Sequence, residues 1–197
     1  FDPEFSEHSF GFRPGRNGQQ AVKQVQSIIK EGRRFAVDVD LSKFFDRVNH
    51  DLLMTRLGDK VKDKRLLRLI KRYLRAGFID NQFKGESRVG VPQGGPLSPL
   101  LANIMLDSLD KELEKRGHKF ARYADDFTIL VKSQRAGERV LRSISQYLQS
   151  RLKLVVNTDK SRVVKTNESQ FLCFTFKVNR IHWHPKTLLK FKQNVRK

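Results

Sequence analysis

The sequence predicts an α+β fold, an antiparallel sheet backed by helices. Three observations predict it. Segments with a helical apolar period alternate with strand-like segments. The strand-like segments come in closely spaced pairs, which reads as antiparallel hairpins rather than βαβ crossovers. Finally, 15 Phe among 197 residues supply the bulk for a packed core.

Residues 1–18 carry Pro3, Gly11, Pro14, Gly15 and Gly18 and read as a looped lead-in. Residues 19–31 place Ala21, Val22, Val25, Ile28 and Ile29 on one helical face. Residues 34–41 read as a strand, with Val37, Val39 and Leu41 on one face and Ala36, Asp38 and Asp40 on the other. Residues 44–58 read as a helix and 63–76 as a strongly basic amphipathic one. Residues 78–91 suggest short strands turning around Lys84-Gly85. After a polar loop, 98–116 reads as a helix. Residues 119–132 read as two apolar strands broken at Ala124-Asp125-Asp126, and 136–152 as another amphipathic helix. Residues 170–183 suggest a second strand pair turning near Asn179-Arg180. From 186 to 197 the chain is a basic helix or linker. The alternation predicts helices on one face of the sheet.

Lys and Arg total 40 against 21 Asp and Glu, a formal net charge of +19. That imbalance favours a polyanionic partner: nucleic acid, an anionic membrane or nucleotide phosphates. The single Cys, Cys173, excludes an intramolecular disulfide and a Cys-rich zinc module, and fits a reducing compartment. No apolar run approaches the roughly 18 residues of a membrane span. The first residues lack the basic start and apolar stretch of a secretory signal. A chain that begins with Phe1 rather than Met is expected to be a piece of a longer protein. Ser42 and Ser98 have no recognisable His partner, so a hydrolase has no support. His182-Trp183-His184 lacks further ligands nearby.

The chemistry concentrates in acidic residues. Asp125-Asp126 stands between Phe120, Ala121 and Tyr123 on one side and Phe127, Ile129, Leu130 and Val131 on the other. Two carboxylates at the tip of an apolar hairpin repel by about 1 kcal/mol at 4 Å in water, and by about 4 at an effective dielectric of 20. A divalent cation removes that cost; a solvated turn is the alternative, since Asp is a good turn residue. Asp38 and Asp40 lie in a second strand, so two adjacent strands could converge on a hard oxygen site suited to Mg²⁺. A wet face on an edge strand is the alternative there.

Three stretches then carry a resemblance. Tyr123-Ala124-Asp125-Asp126 between apolar strands resembles the catalytic hairpin of reverse transcriptases. Asp40-Leu41-Ser42-Lys43-Phe44-Phe45-Asp46 resembles their first carboxylate motif, and Val91-Pro92-Gln93-Gly94-Gly95-Pro96-Leu97-Ser98-Pro99 their nucleotide-facing loop. Ser9-Phe10-Gly11-Phe12-Arg13-Pro14-Gly15-Arg16 and Leu100-Leu101-Ala102-Asn103-Ile104 narrow the likeness to the group II intron-encoded reverse transcriptase and maturase family. The resemblance spans nearly the whole chain, with its motifs in order.

The resemblance implies a fingers-palm fold. Residues 1–33 and 47–92 would be fingers-side elements, 34–46 and 93–184 the palm, and 185–197 a basic linker toward a thumb. Asp40, Asp125 and Asp126 match the catalytic aspartates. Asp40, Asp125 and the Leu41 carbonyl match the ligands of two Mg²⁺ ions, with Mn²⁺ as a substitute. Phe45 matches the aromatic residue that excludes a 2′-hydroxyl, and Gln93 the glutamine beside the incoming nucleotide. Lys160 matches a lysine near the pyrophosphate, where it could donate a proton or neutralise charge; a surface lysine is the alternative. The family's Phe-Leu-Gly-Phe reads Phe171-Leu172-Cys173-Phe174 here, and a Cβ at that position can alter a close backbone approach.

Other cations carry weaker signals. Arg13 and Arg16 could meet a phosphate or the template, or be solvated. Arg68 and Arg72, with Lys64, Arg65, Lys71 and Arg75, face one acid, Asp63, which favours an RNA backbone over a merely solvated face. The expected function is RNA-directed DNA synthesis joined to intron RNA binding, with an RNA template, a DNA or RNA primer and deoxynucleotides as partners and no membrane. The alternatives are a non-catalytic maturase that steadies intron RNA for splicing, or a related defence-associated reverse transcriptase. The expected setting is the cytoplasm of a bacterium or an organelle. A homodimer is left open, because a piece without its thumb exposes surface.

Overall fold

The computed structural model describes residues 1–76, 79–80, 83–84, 89–177 and 180–195. A short 3₁₀ turn at Asp2–Glu4 opens the chain. There follow α1 (Gly18–Lys30), β1 (Phe35–Val39), α2 (Phe44–Arg47), α3 (His50–Lys60) and α4 (Lys64–Arg75). Next come β2 (Ile79–Asp80), β3 (Phe83–Lys84), α5 (Ser98–Lys115), β4 (Lys119–Tyr123) and β5 (Asp126–Val131). The chain continues through α6 (Gln134–Leu152), β6 (Arg162–Lys165), β7 (Phe174–Lys177), β8 (Arg180–Trp183) and α7 (Pro185–Val195). Among the described residues no helix is long and apolar enough to cross a membrane.

The helices begin where local chemistry lets them. Asn17 opens α1 with a reciprocal capping box: its side chain accepts from the Gln20 N–H, and Gln20 accepts from the Asn17 N–H. Asp63 accepts from the N–H groups of Arg65 and Leu66 and starts α4. Ser133 does the same for α6 through the Ala136 N–H. The predicted helix over 44–58 is two, because Val48 leaves the helical region at ψ 118 and Asn49 restarts it by capping α3.

The main sheet is antiparallel in the order β4-β5-β1-β6. The β4–β5 hairpin is the predicted one, closed by the pair Tyr123–Asp126. Strand β6 has no counterpart in the sequence reading; it pairs along β1, with Asp38 opposite Arg162. The β7–β8 ladder is also the predicted one, pairing Phe174 with Trp183 and Lys177 with Arg180; Asn179 of the expected turn lies outside the described residues. The β2–β3 ladder pairs Ile79 with Lys84 and Asp80 with Phe83, so Lys84 stands in a strand rather than in the predicted Lys84-Gly85 turn, of which Gly85 lies outside the described residues.

Helices cover both faces of the sheet, which corrects the expectation of one. On one face Val37, Val39, Phe120, Phe127 and Ile129 join side chains of α3, α4, α5 and α6 in the larger core. On the other, Ala36, Ala121 and Leu130 meet Ala21, Val22, Val25, Ile28 and Ile29 of α1. The α1 stripe was legible, but which sheet face it would cover was not.

Candidate active site

Sheet register brings the carboxylates together. Strand β1 ends with Val39 opposite Phe127, the residue after Asp126, which closes the β4–β5 turn. Asp40 therefore leaves the sheet beside Asp125 and Asp126. A cleft of about 470 Å³ opens there, lined by Asp38, Asp40, Leu41, Asp125, Asp126 and Lys160 among others.

Asp40 is held through its backbone, and Asp38 through its carboxylate. The Asp40 N–H donates to Ser161 Oγ at 3.0 Å, and the Asp40 carbonyl accepts from the Asn157 N–H at 2.9 Å. The Ser42 N–H donates to the Val155 carbonyl, so the bridge between Leu41 and Val156 runs through the residues flanking Leu41. The turn of Asn157 to Ser161 carries Lys160 onto the cleft wall. Asp38 accepts from Thr128 Oγ1 at 3.0 Å and from Ser169 Oγ at 2.8 Å.

Asp125 sits in a two-residue turn whose first residue, Ala124, has φ +57. A non-glycine residue there is strained, and a buried network holds it. Arg122 Nη1 donates to the Ala124 carbonyl at 2.8 Å and to Asn103 Oδ1 at 2.9 Å. Its other nitrogens grip the Asp110 carboxylate. Asn103 in turn donates to the Gly11 carbonyl at 2.9 Å. Gly11 packs directly on the turn: a Cβ there would overlap Ala124 N and lie 2.9 Å from the Tyr123 carbonyl carbon.

The electrostatics of the cleft follow from this crowding. Burial raises the Asp38 carboxyl, against the hydrogen bonds from Ser169 and Thr128. Burial, and then the charge of Asp40, raise Asp125, while Arg122 pulls it down. Asp126 borders the open cleft, yet protein atoms crowd its other sides. This burial, and then the charges of Asp38, Asp125 and Asp40, push it up to about 7, against the N–H of Leu172.

The donor set fits a divalent cation that takes part of its shell from substrate. Among the described residues no three His, Cys, Asp or Glu side chains close on one metal position. Mg²⁺ does not require such a cage, because it takes one or two carboxylates and completes its octahedron with waters and phosphate oxygens. Asp40, Leu41 and Asp125 line one cleft, and the two carboxylates among them are hard oxygen donors.

The reverse transcriptase (RNA-dependent DNA polymerase) family matches residues 1–176. The chain belongs to the reverse transcriptase family. Protein YkfC of Escherichia coli (strain K12) is 30% identical over 85% of this chain and 54% of its own length. Group II intron-encoded protein LtrA of Lactococcus lactis subsp. cremoris is 26% identical over 91% of this chain and 41% of its own. The chain thus spans about half the length of these relatives. The apo telomerase of Candida tropicalis, truncated from its C-terminal domain, shares the fold with a TM-score of 0.68 at 14% identity, over 90% of this chain and 41% of that one. Divalent metal ions and an RNA template are general to reverse transcriptases.

The other residues expected at a reverse transcriptase site fall in three places. Phe45 and Gln93 lie outside the carboxylate cleft, on helix α2 and on the loop that packs against it. The Val91 N–H donates to the Phe45 carbonyl at 2.6 Å, the Gly90 N–H to the Val48 carbonyl at 2.8 Å, and Gln93 Nε2 reaches Asp46 Oδ1 at 3.4 Å. Gly90 makes this approach possible: it has φ +94, and a Cβ would lie 3.1 Å from the Asp46 carbonyl oxygen. The Phe45 ring meets Phe44 edge-on at 5.2 Å.

Arg68 and Arg72 are exposed on α4, whose only buried residues are Ile70 and Leu74. Arg16 is half-buried, donating to the Glu7 carbonyl with its guanidinium 5.4 Å from the Phe10 ring centre. Arg13 corrects the expectation of a template contact. It is buried, and its guanidinium is spent on the Asp2 carboxylate and on the carbonyls of Asp2, Ser6 and Ser9. A cation so paired pins the lead-in segment and presents no charge to a nucleic acid.

Sequence reasoning missed Arg122, Asp110 and Asn103, which support the turn, and Arg162, which lines the cleft. A faint signal existed. Arg122 interrupts an apolar strand and Asp110 an apolar helix face, and two buried opposite charges call for each other.

Proposed function

We propose that this chain is the fingers-and-palm part of an RNA-directed DNA polymerase that adds deoxynucleotides to a primer by two-ion chemistry. Residues 34–46 and 93–184 form the palm in this reading, 1–33 and 47–92 the fingers side, and 185–197 the link toward a thumb. The observation that carries it is the convergence of Asp40, Asp125 and Lys160 on one cleft.

Asp40, Asp125 and the Leu41 carbonyl would hold two Mg²⁺ ions, or Mn²⁺ in their place, and such ions would supply activation of the primer 3′-hydroxyl and charge neutralisation at the leaving pyrophosphate. Asp126 adds negative charge beside the site. Lys160, which also lines the cleft, neutralises the leaving group or gives it a proton. Phe45 rejects a 2′-hydroxyl by clash and by offering no hydrogen-bond partner. Gln93, held on Asp46, lines the nucleotide. The deoxynucleotide, template and primer are aligned in this way, and in-line phosphoryl transfer needs positioning more than covalent help.

The same protein binds intron RNA, and the exposed cationic face of α4, with Arg68 and Arg72, supports that role. The test is primer extension on an RNA template by the full-length protein, beside Asp125→Ala. We expect synthesis to vanish and RNA affinity to remain. Unchanged synthesis overturns the metal assignment. No synthesis by the parent, with salt-sensitive RNA binding kept, would instead mark a maturase whose palm is a scaffold.

A further inference from the structure

The palm has a second concave surface at the far end of its sheet. The β4–β5 hairpin carries the Ala124–Asp125 turn at one end and Lys119 and Lys132 at the other. About six residues of strand, at about 3.4 Å each, put these ends roughly 20 Å apart. Around the far end lies a cleft of about 540 Å³ between the sheet and α6. Its floor is apolar, made by Leu130, Val131 and Val140, and five cations line it: Arg33, Arg116, Lys119, Lys132 and Arg139. Among the described residues neither Asp nor Glu lines it.

The five cations fall into two groups. Arg33 and Arg116 are anchored from outside the cleft. Arg33 pairs with Glu31 at 2.7 Å and Arg116 with Glu112 at 2.7 Å. Arg116 also donates to Ser143 Oγ at 2.6 Å, with its guanidinium 5.9 Å from the Tyr147 ring centre. Among the described residues, Lys119, Lys132 and Arg139 pair with no carboxylate, and all three are exposed. His118, also on the cleft wall, is held below its ordinary pKa by burial and by Arg116. It therefore stands neutral at pH 7 and adds a polar group without charge.

We propose that this cleft is a nucleic-acid contact separate from the catalytic one, and that its ligand is the phosphodiester backbone of folded, double-stranded RNA. Unpaired cations over a low-dielectric floor focus positive potential into the concavity. Each phosphate they neutralise releases condensed counterions. Among the described residues no Phe, Tyr or Trp lines the cleft, so they offer no stacking platform of the kind that single-stranded binders use. Duplex RNA, recognised by shape and backbone, matches those features. With a duplex seated there, the palm is held to a folded RNA by its back while the carboxylate cleft stays open to a template. The inference rests on the reading that RNA is this chain's partner, and not on its catalytic part.

The test measures binding of a labelled RNA hairpin by fluorescence anisotropy across a KCl series, in EDTA so that the carboxylate cleft repels the ligand. Three proteins are compared: the parent chain, the triple variant Lys119→Gln, Lys132→Gln, Arg139→Gln, and a charge-matched control, Lys62→Gln, Arg151→Gln, Lys153→Gln. The cleft variant should bind about tenfold or more weaker at physiological salt. The slope of log affinity against log salt should fall by about two to three. The control should stay within about twofold of the parent. Lys132→Glu alone, at an exposed strand end, should shift affinity in the same direction with an unchanged melting temperature.

Equal losses in both triple variants would mean a net-charge effect and overturn the site. So would hairpin displacement by pyrophosphate at concentrations that do not alter the ionic strength, since the cleft would then take a small anion. A parent chain that binds no hairpin would overturn the RNA partner itself, an outcome distinct from loss of the cleft.

Discussion

Arg122 closes on Asp110 through two hydrogen bonds, Nε to Oδ1 at 2.8 Å and Nη2 to Oδ2 at 2.5 Å, with neither side chain reaching solvent. The pair joins β4 to α5, and it aims the remaining guanidinium nitrogen at the carbonyl of Ala124, the residue before Asp125. It therefore serves both folding and position. Arg122→Ala leaves a buried carboxylate without its cation and should cost about 3–5 kcal/mol. Arg122→Met combined with Asp110→Leu should recover most of that stability, because an apolar pair carries no desolvation penalty. Primer extension by the double variant should stay impaired, since nothing then holds Ala124 at its positive φ. Full recovery of synthesis in urea-stable double variant would mean the pair is only structural.

Gly11 makes the same point from the other side of the turn. Gly11→Ala drives a methyl group into the Ala124 backbone and should cost about 1–3 kcal/mol as overpacking, with loss of DNA synthesis. Gly18→Ala is the control: its Cβ would meet only Leu172 Cδ1 at 3.5 Å and Tyr123 Cε2 at 3.9 Å. Urea midpoints and extension rates of the two variants should separate clearly.

Asp126 makes the metal-free protein sensitive to pH. Its folded pKa is pushed up to about 7, while an unfolded Asp titrates near about 3.9. The folded state therefore holds a proton that the unfolded state has already released. Stability contributed by this proton is present below about pH 4 and is lost as pH rises through about 7. Melting temperatures in EDTA should fall across that window. Asp126→Asn should flatten this dependence, and Mg²⁺ or Mn²⁺ should raise the melting point most at the alkaline end. A metal-free profile that rises from pH 5 to 8 would contradict the crowding of these carboxylates.

Phe45 projects from the short helix α2, and its backbone carbonyl is already engaged by the Val91 N–H. Phe45→Ala removes the ring and leaves that bond in place. Ribonucleotide incorporation, measured as the ratio of kcat/KM for matched ribo- and deoxynucleotides, should rise about tenfold or more. An unchanged ratio would remove Phe45 from sugar selection.

Cys173 has φ +72 and its neighbour Leu172 φ +48, so the departure from the family's glycine bears on backbone conformation. A left-handed residue with a Cβ costs about 1–2 kcal/mol. Cys173→Gly relieves that, less about 0.4–1 kcal/mol of added unfolded-state entropy. A small gain in the urea midpoint is expected; a loss would show that the thiol packs usefully beside the cleft.

Much of this molecule follows from local chemistry. The apolar stripe of α1, the Ala124-Asp125 turn and the strand bearing Asp40 all depend on residues within a turn or a strand of one another. They were therefore legible one segment at a time. Long-range pairing decided the rest. Strand β6 is four residues long and lies beside β1 only because the chain returns across more than a hundred residues. Its half-exposed pattern carries no period to read. The face covered by α1 has the same origin, whereas Arg13 and Arg122 find their partners 4 to 12 residues away, in nearby segments that fold back on them. A side chain's charge is written in the sequence, but whether that charge meets water, a phosphate or a buried partner depends on which distant segment the fold sets against it.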